Sequence, residues 1–548
     1  MVKNMTTKLI LGNIITLDDI KPNVEALVVE DGIIKYIGSR KTAETLCDED
    51  TEILDFGDNC IYPGFIEAHA HGCEAGRALG LIPPLYEGET MDDYVAIMKK
   101  VIEENPDKDL YRGIGWHIID KEPTAAMLDE ICSDKPISLV SGDGHSTWLN
   151  TKAMEEFGVD KNMVEKYGAD CCRVDEDGNP TGWLSEGPNY EVQSKTPLTI
   201  EEAKESILLW QQYCFANGYV AAFDAGIDVY SENPIYAYPQ LEEEGKLKLR
   251  TFAGIIIPDN IEDVDSKIKE IADYASKYNK EYFKITTSKV FLDGVIEVDT
   301  GLLLEEYNHK PEYYGVERFS NHDKFVEVVC KSGDYGLNVH CHSDGDGAVE
   351  FALNGFAEAI AAGYTDQRNL LAHLHLVKPY HFEQFADYNV TSVTPPLWVP
   401  LVDVTAKREI ETIGAERMHA GYPINSFIKA GANNVFHTDF PVSPIMNVGM
   451  SIFIAVTRYA PHNYGVEPIG PESTKGPEEA ITRMQALEAL TKNVAYAYHQ
   501  EDIMGTLSVG KIANMVVFKE NFLEDDLEEI AAAETLYTLV DGEIVYQK

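Results

Sequence analysis

The sequence predicts an α/β protein built around a TIM-like (β/α)8 barrel. Two observations lead to this prediction. Helical and strand-like segments alternate at least six times between residues 199 and 442, and short Ile-, Val- and Leu-rich segments typical of strands lie at both ends of the chain. A repeated unit of this length favours a parallel sheet, open or closed into a barrel, because a parallel connection needs a crossover. At least six such units favour the barrel.

Each predicted unit of the barrel pairs a helical segment with the strand that follows it. The pairs are, in chain order, 199–218 with 219–226, 260–280 with 282–294, 321–336 with 337–345, 346–363 with 368–377, 379–389 with 390–398, and 423–432 with 434–442. Residues from about 73 to 190 fit this repeat poorly. We therefore expect them to form a long insertion after the first barrel strand.

The strand-rich ends of the chain predict a smaller β-domain. Turns such as "EDG" and "LGN" separate short apolar segments in the first sixty residues, and the last fifty residues show the same pattern. Because chain termini often lie close together, we expect both ends to pair. The predicted division is a discontinuous β-sandwich domain of residues 1–62 and 500–548, with the barrel and its insertion in residues 63–499.

The charge of the chain excludes some classes of partner. It has 92 acidic against 45 basic side chains, a net charge of −47, and such a surface is repelled by nucleic acids and anionic membranes. No apolar run is long enough for a membrane-spanning helix, and the N-terminus lacks the features of a signal peptide. Nine irregularly spaced cysteines are typical of reduced thiols. We therefore expect a cytoplasmic protein without a nucleic-acid or membrane partner.

The first barrel strand ends in a pair of histidines that suggests a metal site. His69 and His71 follow a Pro-Gly turn and an apolar run in "IYPGFIEAHAHG". In an extended segment, residues two apart point to the same side, so both imidazoles face one point. A metal ion would hold both rings in the neutral form and use both lone pairs. A pair of partly exposed strand-end histidines is the alternative.

Further polar residues fall at the ends of later predicted strands, where barrel enzymes place their active sites. These residues are Lys289, His340, His342, His373, His375 and Asp439. Histidine and aspartate suit zinc, manganese or iron with a position left open for water. Since these side chains end separate strands that converge on one face, they predict a metal-dependent enzyme.

The ordered series HxH, Lys, His, His, Asp resembles the amidohydrolase superfamily. Eight stretches resemble, more narrowly, amidohydrolase family 3, the branch that contains N-substituted formamide deformylases. They span most of the chain and are "PGFIEAHAHG", "DGHSTWLNTKAM", "DGNPTGWLSE", "KVFLDGVIEVDTG", "HSDGDGAV", "HLHLV", "HTDFPV" and "GTLSVGKIANMVVF". The resemblance implies a divalent metal, most often zinc with manganese or iron as alternatives, bound as one or two ions.

The resemblance also distinguishes between the doubled histidines. His342 fits the family pattern of a histidine followed after two residues by Gly-Asp, and His373 lies four residues before the family valine. The implied metal ligands are His69, His71, Lys289, His342, His373 and Asp439. The spacing alone does not choose, because a strand places both members of each pair on one face. His340 and His375 are therefore expected to support the ligands.

Lys289 needs a chemical change before it can bind a metal. In part of the superfamily, a lysine on the fourth strand reacts with carbon dioxide, and the resulting carbamate bridges two metals. The alternatives are a buried Lys289 paired with Asp293, or Glu186 in "GWLSEG" as the bridging carboxylate or a substrate contact.

The resemblance implies hydrolysis by a metal-activated water. Asp439 matches the family aspartate that takes the proton of this water and passes it to the leaving amine. His145 in "DGHSTW" is expected to polarise the scissile carbonyl, and Trp183 and Trp398 are candidates for lining the substrate pocket.

The predicted function is hydrolysis of an amide or related C–N bond in a small organic substrate, by a protein that, like many members of the superfamily, forms a homodimer. Deamination, lactone opening, isomerisation and decarboxylation on the same metal site are alternatives, since a fold does not settle chemistry. A catalytically silent metal-binding protein is a further one. A nucleotide-binding Rossmann enzyme lacks support, because no GxGxxG follows the first strand.

Overall fold

The structure, a computed structural model, describes residues 6–116, 121–142, 144, 146–169, 171–185, 187–401, 403–464 and 474–548. It divides into two compact units. The barrel unit comprises Met1–His71, Gln211–Ile227 and Leu241–Lys548, and the insertion unit comprises Gly72–Trp210 and Asp228–Gln240.

The ends of the chain meet in one seven-stranded sheet of the barrel unit, with the order β20-β19-β18-β4-β1-β2-β3. Its strands are β1 (Thr7–Ile15), β2 (Asn23–Glu30), β3 (Ile33–Gly38), β4 (Glu52–Pro63), β18 (Met515–Phe518), β19 (Tyr537–Val540) and β20 (Glu543–Gln547). β4 pairs in parallel with β1 and antiparallel with β18, which joins the two ends. Ile10, Ile61, Met515 and Leu539 share one buried cluster on this sheet.

Eight parallel strands form the barrel, in the order β17-β16-β15-β14-β13-β12-β11-β5. They are β5 (Phe65–Ala70), β11 (Tyr219–Ala225), β12 (Arg250–Ile256), β13 (Phe283–Phe291), β14 (Asn338–Ser343), β15 (Leu370–His373), β16 (Thr391–Thr394) and β17 (Asn434–Phe436). Their residues are almost all buried, as parallel strands covered on both faces require. Backbone hydrogen bonds from Asp439 N to His69 O at 3.0 Å and from His71 N to Phe440 O at 2.9 Å connect the end of β5 to the segment that follows β17. The predicted α/β barrel is thereby confirmed.

The insertion unit has a sheet of its own, with the order β6-β7-β8-β10-β9. The strands are β6 (Tyr111–Trp116), β7 (Ile137–Ser141), β8 (Ser146–Leu149), β9 (Cys172–Val174) and β10 (Pro180–Ser185). Tyr94, Trp116 and Trp148 belong to the buried apolar cluster that stabilises this unit.

The α-helices follow the sequence pattern of apolar faces and capping residues. In α10, Val264, Ile268 and Ile271 are buried at helical spacing, and Asp263 caps the first turn by accepting a hydrogen bond from Ser266 N at 3.0 Å. The α-helices are α1 (Arg40–Glu44), α2 (Gly72–Gly76), α3 (Met91–Glu104), α4 (Ala125–Asp129), α5 (Thr151–Phe157), α6 (Lys161–Tyr167), α7 (Gly187–Ser194), α8 (Ile200–Ala216), α9 (Asn233–Glu243), α10 (Val264–Tyr278), α11 (His322–Asp334), α12 (Asp346–Ala361), α13 (Phe382–Asp387), α14 (Asp403–His419), α15 (Ile424–Ala430), α16 (Val448–Thr457), α17 (Arg483–Ala489), α18 (Lys492–Ala497) and α19 (Leu527–Ala531).

Several barrel strands differ from the sequence prediction, and β16 and β17 end at Thr394 and Phe436, before the predicted residues 398 and 442. β12 was absent from the predicted pairs, because it lies in an apolar stretch without a clear preceding helical pattern. β15 ends at His373, whereas the pattern of residues 368–377 predicted a longer strand. Among the described helices, none combines the length and apolar character that crossing a bilayer requires. The division of the chain at residues 62 and 500 stays a prediction.

Candidate metal centre

The HxH pair lies at the end of β5 and faces one carboxylate oxygen. His69 Nε2 is 3.3 Å and His71 Nε2 is 3.2 Å from Oδ1 of Asp439. One ligand atom from each of the three residues lies within 4.8 Å of the other two. Two metal–ligand bonds of about 2.0–2.2 Å place their ligand atoms at most about 4.4 Å apart. A single ion can therefore contact all three residues after a small closing movement.

Asp439 is held in place by the junction of the first and last barrel strands. It lies three residues beyond β17 with a φ of 55°, a left-handed conformation that is uncommon outside glycine. One oxygen of buried Glu67 accepts hydrogen bonds from both His69 N and Thr438 N, each at 3.0 Å. Glu67 therefore fixes the backbone on both sides of the cluster.

His373 and His342 extend the cluster from the ends of β15 and β14. His373 Nδ1 is 4.0 Å from Oδ2 of Asp439, and the rings of His342 and His373 lie 4.3 Å apart. The Nδ1 atom of His342 is bonded to Asp293 Oδ1 at 2.9 Å. Because that bond occupies Nδ1, the Nε2 atom of His342 is the nitrogen left to bind a metal.

Lys289 is buried on β13 beside this cluster. Among the described residues, its Nζ atom has no hydrogen-bond partner and lies 4.9 Å from the centre of the Phe291 ring. Burial lowers the pKa of Lys289 to about 8, although the charge of Asp439 acts in the opposite direction. The alternative in which Lys289 pairs with Asp293 is wrong, because Asp293 bonds His342 instead, together with backbone N–H groups.

His340 contacts a histidine of the HxH pair. Its Nε2 atom lies 2.8 Å from Nδ1 of His69, and its ring stacks on Phe223 with centroids 4.8 Å apart. The bond to Nδ1 fixes the ring of His69 and leaves Nε2 directed at Asp439. His340 therefore orients His69.

His375 lies in a different environment from His373. The φ angles of His373 and Leu374 are 79° and 56°, so the chain turns where an extended strand was expected. The prediction that His373 and His375 share a face is wrong for this reason. The ring of His375 stacks on Tyr422 and lies beside Glu297 and Glu409.

His437 was missed by the sequence analysis. Its ring centre lies 5.2 Å from that of His69 and 5.1 Å from that of His373, and both of its nitrogens lack a hydrogen-bond partner among the described residues. Burial lowers its pKa to about 4. The sequence does contain a pattern that could have identified it, because "HTD" places His437 two residues before Asp439, with the spacing of the HxH pair.

Of the other predicted site residues that the structure describes, only Trp398 is seen at the histidine centre. Trp398 covers the centre: its ring is stacked 5.5 Å from that of His373, and its Nε1 atom donates a hydrogen bond to Ser443 Oγ at 2.8 Å. Trp183 belongs to the insertion unit, where it lies opposite Trp148 on neighbouring strands. His145 and Glu186 lie outside the described residues.

The electrostatics of the cluster fit a divalent cation. Burial is the main cause of pKa values well below the usual range for His69, His340 and His373, so these rings are neutral, the form that binds metals. Burial alone would raise the pKa of Asp439, but His69, His71 and His373 lower it well below its usual range. A buried carboxylate beside neutral imidazoles is a donor set that suits a metal of the zinc class. His373 Nδ1 and both nitrogens of His437 have no hydrogen-bond partner among the described residues.

An eight-stranded parallel barrel with histidines and an aspartate at its strand ends defines the class of metal-dependent hydrolases. A model of the amidohydrolase family matches residues 52–546, so the chain belongs to that family. It is a metal-dependent amidohydrolase, as the ordered motifs predicted.

Individual relatives are distant but match over nearly the whole chain. The chain is 25% identical to protein LONG AFTER FAR-RED 3 of Arabidopsis thaliana, over 98% of its own length and 90% of the relative's. It is 21% identical to the N-substituted formamide deformylase of Arthrobacter pascens, over 98% of both chains. An uncharacterized metal-dependent hydrolase from Pyrococcus furiosus has the same fold, with a TM-score of 0.76 and 24% identity over 94% of this chain and 100% of that one.

Proposed function

We propose that the protein hydrolyses an amide or related C–N bond of a small organic substrate, with N-substituted formamides as the first class to test. The observation that carries this proposal is the position of the Asp439 carboxylate, 3.2–3.3 Å from the two histidines of the HxH pair, which lower its pKa. The similarity to an N-substituted formamide deformylase supports the choice of substrate.

His69, His71 and Asp439 are the proposed ligands of one metal ion, and His342 and His373 those of a second. Their neutral imidazoles and single carboxylate support zinc, with manganese and iron as alternatives. A metal bound at this position supplies a water whose pKa is lowered from about 15.7 towards 7, together with polarisation of the substrate carbonyl.

Asp439 is the proposed proton carrier. Its carboxylate accepts the proton of the attacking water and returns it to the nitrogen of the leaving amine, as a general base that becomes a general acid. Glu67 and the backbone bonds between the ends of β5 and β17 hold this carboxylate against the histidines. His145 is proposed to polarise the substrate carbonyl, and Trp398 to line the substrate pocket.

Lys289 is proposed to become a carbamate that bridges the two ions. The reaction needs a neutral amine, and a pKa of about 8 leaves the Lys289 amine neutral in a fraction of the molecules near pH 7. The amine nitrogen attacks carbon dioxide, forms an N–C bond and loses one proton, which leaves an anionic oxygen pair. The carbamate would bring a negative charge that bound cations balance, at a position where the Nζ atom otherwise has no hydrogen-bond partner among the described residues.

The test is turnover of a panel of N-substituted formamides, N-acyl amines, aminopurines and lactones. Protein stripped with a chelator and reloaded with Zn²⁺ or Mn²⁺ is assayed for released amine, ammonia and acid. We expect primary amine and formate in equal amounts. Ammonia as the only nitrogen product would contradict the proposal and indicate a deaminase. An acid released without any nitrogen product would contradict it and indicate a lactonase.

Asp439→Asn is the variant for the proton carrier, and Asp387→Asn is its charge-matched control at an exposed position at the end of α13. Loss of turnover on the order of 10²–10⁴-fold with metal content largely kept is expected for Asp439→Asn. Equal loss of metal would make Asp439 chiefly a ligand. Metal content by elemental mass spectrometry in Lys289→Ala decides the bridge: a fall by one ion per chain supports it, and an unchanged count contradicts it.

We propose a cytoplasmic homodimer that acts on a small molecule. Light scattering coupled to gel filtration measures the dimer, and a molar mass near that of one 61.1 kDa chain would exclude it.

A further inference from the structure

We propose that Glu297, His375 and Glu409 form a second site for a divalent cation, apart from the histidine centre at Asp439. This group is called the His375 cluster below. One ligand atom from each of its three residues lies within 4.8 Å of the other two. The residues come from three different segments of the barrel unit, the 3-10 turn Ile296–Val298, the turn after β15, and α14.

The unusual member of the cluster is His375. Its side chain is fully buried, and neither ring nitrogen has a hydrogen-bond partner among the described residues. Its Nδ1 atom lies 3.5 Å from Oε1 of Glu297, and its Nε2 atom lies 3.5 Å from Oε2 of Glu409. Buried polar atoms normally find a partner, so two unpartnered nitrogens between carboxylates point to a missing ligand.

A third carboxyl group lies beside His375. Oδ2 of Asp344 lies 4.0 Å from Nδ1 of His375 and accepts a hydrogen bond from Ile296 N at 2.9 Å. That bond joins Asp344 to the 3-10 turn that bears Glu297. Three carboxyl groups therefore surround one imidazole.

Lys475 is the cation that already faces this group. Its ammonium lies 2.7 Å and 2.9 Å from the two oxygens of Glu409, and 4.9 Å from the centre of the Tyr422 ring. It is one positive charge beside the two carboxylates of Glu297 and Glu409. Lys475 neutralises the carboxylate of Glu409. The carboxylate of Glu297, on the opposite side of the His375 ring, is therefore the one that a further cation would neutralise.

The route for a cation also lies on the Glu297 side. The Glu297 side chain is 37% exposed, whereas that of Glu409 is 5% exposed. One imidazole and two or three carboxylates form a donor set that suits Mn²⁺, Fe²⁺ or Zn²⁺. Bound there, the ion would connect the loop after β13, the turn after β15, and α14.

The test counts metal with the histidine centre removed. The His69→Ala/His342→Ala double variant, which removes one proposed ligand of each ion of the histidine centre, is stripped with a chelator, dialysed against Zn²⁺ or Mn²⁺, and measured by elemental mass spectrometry. We expect about one ion per chain to remain. Addition of Glu297→Gln should abolish it, whereas Glu411→Gln, an exposed carboxylate on α14 paired with Arg408, should not.

The proposal is overturned if the double variant retains no ion, or if Glu297→Gln and Glu411→Gln retain equal amounts. Either result would show that Lys475 and a protonated His375 neutralise the carboxylates alone. If the double variant fails to fold, as judged by circular dichroism, anomalous scattering from wild-type crystals at the zinc edge decides. A peak between Glu297 and His375 supports the site, and peaks at the histidine centre only contradict it.

Discussion

Two pairs of histidines with the same spacing have different geometries in this barrel. His340 and His342 lie on β14, which stays extended, whereas His373 and His375 flank a turn in which His373 and Leu374 have positive φ angles. The β14 pair stays at the histidine centre, where His340 orients His69 and His342 lies against His373. His375 belongs instead to a cluster of carboxylates. An HxH pattern therefore defines a shared face only where the backbone stays extended.

The largest expected contrast is within the second pair. His373→Ala should lower turnover on the order of 10³-fold, because several kcal/mol of transition-state stabilisation depend on the metal. His375→Ala should lower it by less than about tenfold while it removes the ion of the His375 cluster. The measurements are kcat and metal content on the same preparations. Equal losses of turnover would mean that both histidines serve one centre.

Variants of the two histidines on β14 should differ in the number of bound metal ions and in metal affinity. His342→Ala should remove about one ion of the histidine centre, because it takes away a ligand. His340→Ala should keep the count but weaken the affinity by about 10–100-fold, as expected for a residue that orients a ligand. Competition with a chromophoric chelator measures both quantities. A lower count in His340→Ala, with His342→Ala unaffected, would exchange the two roles.

A smaller effect is expected for the carboxylate behind His342. Asp293→Asn should weaken metal affinity by about tenfold, since an amide can present either an oxygen or an N–H to Nδ1 and no longer fixes the ring. Asp323→Asn in the first turn of α11 has the same charge change and serves as the control. Identical affinities in the two variants would show that Asp293 only holds the backbone N–H groups of the loop.

The smallest effect concerns the ring that covers His373. Trp398→Phe keeps an aromatic face but loses the bond from Nε1 to Ser443. A double-mutant cycle with Ser443→Ala should give a coupling of about 1 kcal/mol in the free energy of unfolding. Denaturant titration measures it. A coupling near zero would mean that stacking alone positions the indole.

Local patterns predicted the barrel and most residues of the histidine centre. The alternating helix and strand segments defined the fold, and the HxH spacing brought His69 and His71 to one oxygen because β5 is extended. The turn at Leu374 could not be predicted, since "RNLLAHLHLV" has the composition of a continuous strand. The contact of Glu67 with Thr438, 371 positions later, was equally beyond a local pattern.

The hydrogen bonds of Glu67 determine at which stage of folding the candidate metal centre forms. Glu67 joins the backbone of the first barrel strand to the segment that follows the last one, so the proposed ligand at position 439 meets the proposed ligands at positions 69 and 71 only after the barrel has closed. During synthesis, a ribosome-bound chain that ends before this residue lacks the shared carboxylate and should bind metal far more weakly. Tight metal binding would then report completion of the barrel.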